Sequence, residues 1–184
     1  KALEKIEIYS SGDAEFETLA GLERLEHLKY LRLRHSPIVD VSPLGELKNL
    51  KFLTLDHAPV SDITPFLELE NLRGLTLSHT LVSDVTGLAE MEGLVYLDLS
   101  NSPVVDVTPL AKLKNLEYLR LNDTLVEDVT PLAELKRLEL LTLPFERVDQ
   151  AQIDALYQVL PSRHYAIIDG HYDHGDDTPP PARE

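Results

Sequence analysis

Apolar and polar residues alternate along this chain in a pattern that keeps returning to its own start. In the stretch LRLRHSPIVDVSPLGELKNL, residues 31–50, Leu31 and Leu33 alternate with polar neighbours, and Leu28 completes an L-x-x-L-x-L opening. Alternation sends successive side chains to opposite faces of a strand, so the opening predicts a short β-strand with its leucines inward. Further apolar residues follow at Ile38, Val41, Leu44 and Leu47. The whole pattern then recurs from Leu53, Leu75, Leu97 and Leu119, a spacing of 22 residues without slip. The later inward positions are Val60, Ile63, Phe66 and Leu69, then Val82, Val85, Leu88 and Met91. Val104, Val107, Leu110 and Leu113, then Val126, Val129, Leu132 and Leu135, complete the set. A fixed period of this length marks a stack of like units rather than an ordinary globular domain.

No single unit can cover such an apolar face, so neighbours must stack and share one core. The openings then become parallel strands about 4.8 Å apart. Polar punctuation is as regular as the leucines. Ser42, Thr64, Thr86, Thr108 and Thr130 precede Pro43, Pro65, Gly87, Pro109 and Pro131. A hydroxyl residue followed by proline is a helix-start signal, so a short helical or 3₁₀ stretch is expected on the outer side, capped by the hydroxyl. An aspartate ladder, Asp40, Asp62, Asp84, Asp106 and Asp128, sits just before these turns. Short carboxylates there accept backbone N–H bonds, so a structural role is expected rather than calcium binding.

These residues resemble the 22-residue leucine-rich repeats of the internalin type, in their common bacterial form, over about residues 3–168. The resemblance implies an α/β leucine-rich-repeat solenoid, with short parallel strands on a concave face and turns or short 3₁₀ and α segments on a convex one. The asparagine usual at the ninth repeat position is replaced by Ser36, Ala58, Thr80, Ser102 and Thr124. Ser and Thr can bond neighbouring backbone in its place and Ala cannot, which predicts weakened local order at Ala58.

The ends depart from the period. Residues 1–28 read as an irregular first repeat, with a strand at Ile6 and Ile8, extra residues in YSSGDAE, and the register resumed at Phe16, Leu19, Leu22 and Leu25. Five full repeats occupy 29–138. Residues 139–170 are expected to close the array, with Ile153, Leu156, Tyr157 and Leu160 at helical spacing, Pro161 ending the helix, and HYAII as a last strand. Residues 171–184 form a polar tail with almost nothing to bury, and disorder is expected there. Its His171, Asp173, His174 and Asp176 read as a solvated tail rather than a metal site. The first residue is Lys1, without an initiator Met or signal-peptide h-region, which suggests a processed or excised end.

Charge narrows the partners. Among 184 residues the net charge is −15, which argues against nucleic acid or an anionic membrane surface, both polyanions. With no cysteine, disulfides and thiolate metal sites are excluded; the compartment stays unassigned, with a cytoplasmic one the favoured expectation. No phosphate-cradling Gly-rich loop, G-x-S-x-G or H-E-x-x-H occurs, so no enzymatic activity and no cofactor is expected.

Candidate contact residues lie between the inward leucines, where the strands face outward. One column is Tyr30, Phe52, Gly74, Tyr96, Tyr118 and Leu140, an aromatic stripe predicted to be exposed. Beside it run Arg32, Asp98 and Arg120, then Arg34, and at the strand ends His35, His57, His79, Asn101 and Asp123. Aromatic rings with arginine beside them suit a protein contact; the same rings could equally serve to stabilise the sheet. Equal register would stack the three imidazoles about 5 Å apart, yet a flat ladder should present parallel rather than converging ligands, so no metal site is expected. The inner surface is expected to run from basic near Lys29, Arg32, Arg34 and Lys51 to acidic near Asp98, Glu117, Asp123 and Glu139. The expected function is a non-enzymatic module that binds a protein, not a small molecule, on its concave face. One alternative is a sensor or autoinhibitory array of a larger NACHT-like or other signalling protein; a remote one is a metal-dependent hydrolase built on the histidine column.

Overall fold

The computed structural model describes residues 2–9, 18–160 and 167–168. Among the described residues, eight parallel strands form one sheet in chain order: β1 (Lys5–Tyr9), β2 (Tyr30–Arg34), β3 (Phe52–Thr54), β4 (Gly74–Thr76), β5 (Tyr96–Asp98), β6 (Tyr118–Arg120), β7 (Leu140–Thr142) and β8 (Ile167–Ile168). From β2 to β7 each residue pairs with the one 22 positions later, as in Leu31 with Leu53 and Leu75 with Leu97. The sequence period is thus the strand register.

Every predicted inward position of the five repeats is buried, and many, including Leu44, Val60, Leu97 and Leu132, have no exposure at all. Phe66 takes the place held by leucine in the other repeats and is equally enclosed. The core is therefore one continuous column running the length of the array, not a set of separate cores.

On the convex side the returning chain forms 3₁₀ turns at Ser42–Glu46, Thr64–Glu68, Thr86–Glu90, Thr108–Lys112 and Thr130–Glu134. The expected hydroxyl cap is corrected here. Ser42 and its equivalents are the first residues of the turns, and the capping position falls on Val41, Ile63, Val85, Val107 and Val129, which have no polar side chain to offer. The aspartate ladder performs the task instead. Asp40, Asp62, Asp84, Asp106 and Asp128 each accept the backbone N–H two residues on, at 2.8–2.9 Å. Asparagines supply a second outer ladder that the sequence reading missed: Asn49, Asn71 and Asn115 donate to the carbonyls of Glu26, Lys48 and Glu92 in the preceding repeat, at 2.7–3.0 Å.

The C-terminal helix α1 (Gln150–Val159) is capped by Asp149, which accepts from the Ala151 N–H at 2.8 Å. Ile153, Leu156 and Leu160 close the core, but Tyr157, expected among them, is half exposed because it lies on the outer side of the helix. Gln152 ties the helix to the last repeat: its Oε1 accepts from Val129 N–H at 2.9 Å and its amide donates to Glu127 O at 3.2 Å. β8 pairs with β7 as expected. The extra residues of YSSGDAE, Phe16, Pro161 and the polar tail lie outside the described residues.

Two outcomes follow from this packing. Leu97→Ala, at a position without exposure, should cost about 2–5 kcal/mol by urea unfolding, because its neighbours on both sides are fixed by their own repeats. For the aspartates, the hydroxyl of Ser or Thr and then the backbone N–H of the same residue hold each carboxyl below its usual range. A lowered folded-state pKa contributes stability that is complete above the unfolded value, about 3.9, and lost as pH falls through the lower folded value. The midpoint of thermal unfolding should therefore drop over that acidic window, and a variant with all five changed to Asn should show a flatter profile.

Candidate functional site

The strand register assembles the predicted columns on the concave face. Tyr30, Phe52, Gly74, Tyr96, Tyr118 and Leu140 are successive partners, as are Arg32, Thr54, Thr76, Asp98, Arg120 and Thr142. Their surroundings differ sharply between the two ends of the array.

At the N-terminal end the rings of Tyr30 and Phe52 stack with centroids 5.4 Å apart and planes 3° from parallel. Tyr30 is exposed and Phe52 half-buried. Phe52 leans over Gly74, where a Cβ would stand 2.5 Å from its Cδ1. The bare backbone at that strand is what lets the ring lie down. Arg34 sets its guanidinium 5.9 Å from the ring of Tyr9 on β1, a ring that is more than half exposed. Arg32 pairs with Glu7 at 3.1 Å and Lys29 with Glu4 at 3.1 Å. β1 thus partly neutralises the basic end that the inner-surface charge pattern predicts.

At the C-terminal end the expectation of an exposed stripe is corrected. Tyr96 and Asp98 are 4% exposed. Tyr118 lies against Tyr96 at 6.4 Å, and the Arg120 guanidinium stands over the Tyr96 ring at 5.9 Å while reaching Asp98 at 3.8 Å. Asp98 also accepts from the Ser100 N–H at 2.9 Å. Tyr118 donates to Glu139 at 2.8 Å. These polar groups satisfy one another across strands, so the rings they cover offer little surface.

The strand-end column has a backbone cause that the sequence reading missed. His35, His57, His79, Asn101 and Asp123 all have left-handed backbone, with φ between 53° and 56°. His, Asn and Asp are the non-glycine residues that tolerate this conformation best, and their short polar side chains were the available signal. The turn lets the N–H of the first four reach the next repeat: His35 donates to Asp56 O at 2.9 Å, His57 to Ser78 O at 3.0 Å, His79 to Ser100 O at 2.9 Å and Asn101 to Asn122 O at 2.8 Å. The imidazoles consequently pack on one another: His57 and His79 stack with centroids 3.9 Å apart, and His35 lies tilted against His57, centroids 4.3 Å apart and planes 36° from parallel.

This also corrects the expectation at Ala58. The side chains at its position bond within their own repeat: Thr80 and Thr124 donate to Leu77 O and Leu121 O at 2.7 Å, and Ser102 to Leu99 O. The link between repeats is the backbone N–H of the preceding residue, so Ala58 is fully buried and His57 keeps the same turn.

The expectation of parallel, non-converging ligands is corrected at one point. Asp56 Oδ1 lies 2.9 Å from His57 Nδ1, and one donor atom from each of His35, Asp56 and His57 falls within 4.8 Å of the others.

With this geometry in hand, the chain can be set beside known proteins. A model of leucine-rich repeats in two copies matches residues 92–134. Among curated proteins, none matches the chain in sequence. Among solved structures, an internalin (inlF) of Listeria monocytogenes is 24% identical with a TM-score of 0.63, over 83% of this chain and 53% of that one. An internalin C2 of the same organism is 28% identical with a TM-score of 0.66, over 83% and 76%. A leucine-rich-repeat protein of Leptospira interrogans is 23% identical with a TM-score of 0.71, over 79% and 38%. The chain thus spans about half the length of the first of these and less of the last.

Gly74→Ala should push the Phe52 ring off its seat and out of the Tyr30 stack, costing about 1–3 kcal/mol as other overpacked sites do. Near-ultraviolet circular dichroism, together with urea unfolding, reads both effects. Repeat spacing, the matched pair of repeats and the solenoid they build together give the chain a leucine-rich-repeat fold, similar to that of the bacterial internalins.

Proposed function

We propose that the chain is a protein-binding module that seats its partner on the concave face, centred on Tyr30 and Phe52. Leucine-rich-repeat domains are generally non-enzymatic and bind proteins, and a solenoid offers them an extended concave surface. The observation that carries the more specific reading is the Tyr30–Phe52 stack, presented to solvent beside Arg32 and Arg34. Rings already held in place lose little conformational freedom on binding, and arginine beside them supplies polar contacts. The C-terminal half, with Tyr96 and Asp98 covered and Tyr118 and Arg120 engaged across strands, serves as support for this patch. His35, His57, His79 and Asp123 are exposed along its rim.

The test starts from partners captured on the immobilised chain and identified by mass spectrometry, followed by direct affinity measurement. Tyr30→Ala and Phe52→Ala should each weaken a concave-face partner about tenfold or more. Lys114→Ala, on the convex side where it pairs with Glu134 at 3.0 Å, should leave affinity unchanged. A partner sensitive to the convex change and indifferent to both ring deletions would refute the concave reading.

A further inference from the structure

We propose that His35, Asp56 and His57 form a binding site for a divalent transition-metal ion of the zinc class. The left-handed backbone explains why the strand-end position excludes most side chains, but Asn101 and Asp123 satisfy it equally well. It therefore does not account for imidazole at three successive repeats. The neighbouring column holds Arg34, Asp56, Ser78, Ser100 and Asn122, so its one carboxylate falls beside the middle histidine.

Asp56 is 6% exposed and fixed in place: its Oδ1 accepts from Ser78 Oγ at 2.6 Å, an anchoring bond of the kind that orients metal ligands. His57 Nδ1 already stands 2.9 Å from that oxygen, and the His35 ring packs on His57 with centroids 4.3 Å apart. Donors around a tetrahedral zinc ion at about 2.0–2.1 Å lie roughly 3.4 Å from one another. The three donors, within 4.8 Å here, reach that arrangement by small rotations of two exposed imidazoles, without backbone movement. Two imidazoles and one carboxylate suit zinc, nickel or copper and not magnesium or calcium, which prefer all-oxygen shells. Three protein ligands leave the fourth position for water or an exogenous donor. Because only neutral imidazole ligates, affinity should weaken as the solution is acidified. This site is independent of the protein-docking reading, since it requires no partner.

Calorimetric titration of the full chain with zinc chloride, paired with thermal unfolding, tests the assignment. His35→Asn and His57→Asn are the informative variants, because Asn101 already occupies the same turn at φ 56° and shows that the fold accepts it. A His171→Gln/His174→Gln variant removes the imidazoles of the C-terminal tail. The wild type should bind one zinc ion at this site and gain thermal stability with zinc but not with magnesium. Each His→Asn variant should lose at least tenfold in affinity, while the tail variant keeps the site. No zinc-dependent heat, an affinity unchanged in both His→Asn variants, or binding that vanishes in the tail variant would each overturn the proposal.

Discussion

The structure depends on one constraint: a 22-residue unit of this sequence cannot bury its own leucines. Each repeat supplies an apolar face that only the next repeat can cover, so strand register, turn geometry and core continuity all follow from neighbour-to-neighbour stacking. The leucines at 31, 53, 75, 97 and 119 sit within about 1% of complete burial because they pack along a column rather than within a unit. The same constraint explains why the array must end differently from how it repeats. Helix α1 lays Ile153 and Leu156 over the last open face, and Gln152 ties the helix to the backbone of Glu127 and Val129.

Stacking at a fixed offset also copies every side chain onto its equivalent. On the convex side this yields ladders of like residues, such as the aspartates that hold the 3₁₀ turns and the asparagines that tie three of the repeats to the one before. On the concave side the sequence is less uniform, and the copies differ enough to give the two ends separate characters. Near β2 and β3 the rings stack and remain accessible over a glycine. Near β5 and β6 tyrosine, aspartate and arginine fold onto one another and close the surface.

The strand-end turn joins architecture to candidate chemistry. A left-handed residue is needed for its N–H to reach the following repeat, and that need restricts the position to a few polar side chains. Where three of these are histidine, the imidazoles are brought into contact by a requirement that concerns only the backbone. Asp56 then adds a buried carboxylate at the one place where the stack can meet it.

The sequence by itself determined the period, the inward face of every repeat, the parallel register and the membership of each concave column, because these follow from alternation and from a spacing that never slips. It also carried the closing helix and last strand. What only the tertiary structure decided was how side chains at equal register treat one another. Tyr30 and Tyr96 occupy equivalent positions, yet one is exposed and the other covered, because Arg120 and Tyr118 lie against Tyr96 while Phe52 has Gly74 to lean on. The capping role passed from hydroxyl to aspartate because the 3₁₀ turn begins one residue earlier than the Ser-Pro signal suggests, at the hydroxyl residue itself. The convergence of His35, Asp56 and His57 depends on backbone handedness and ring rotation, neither of which a one-dimensional pattern of residue types contains.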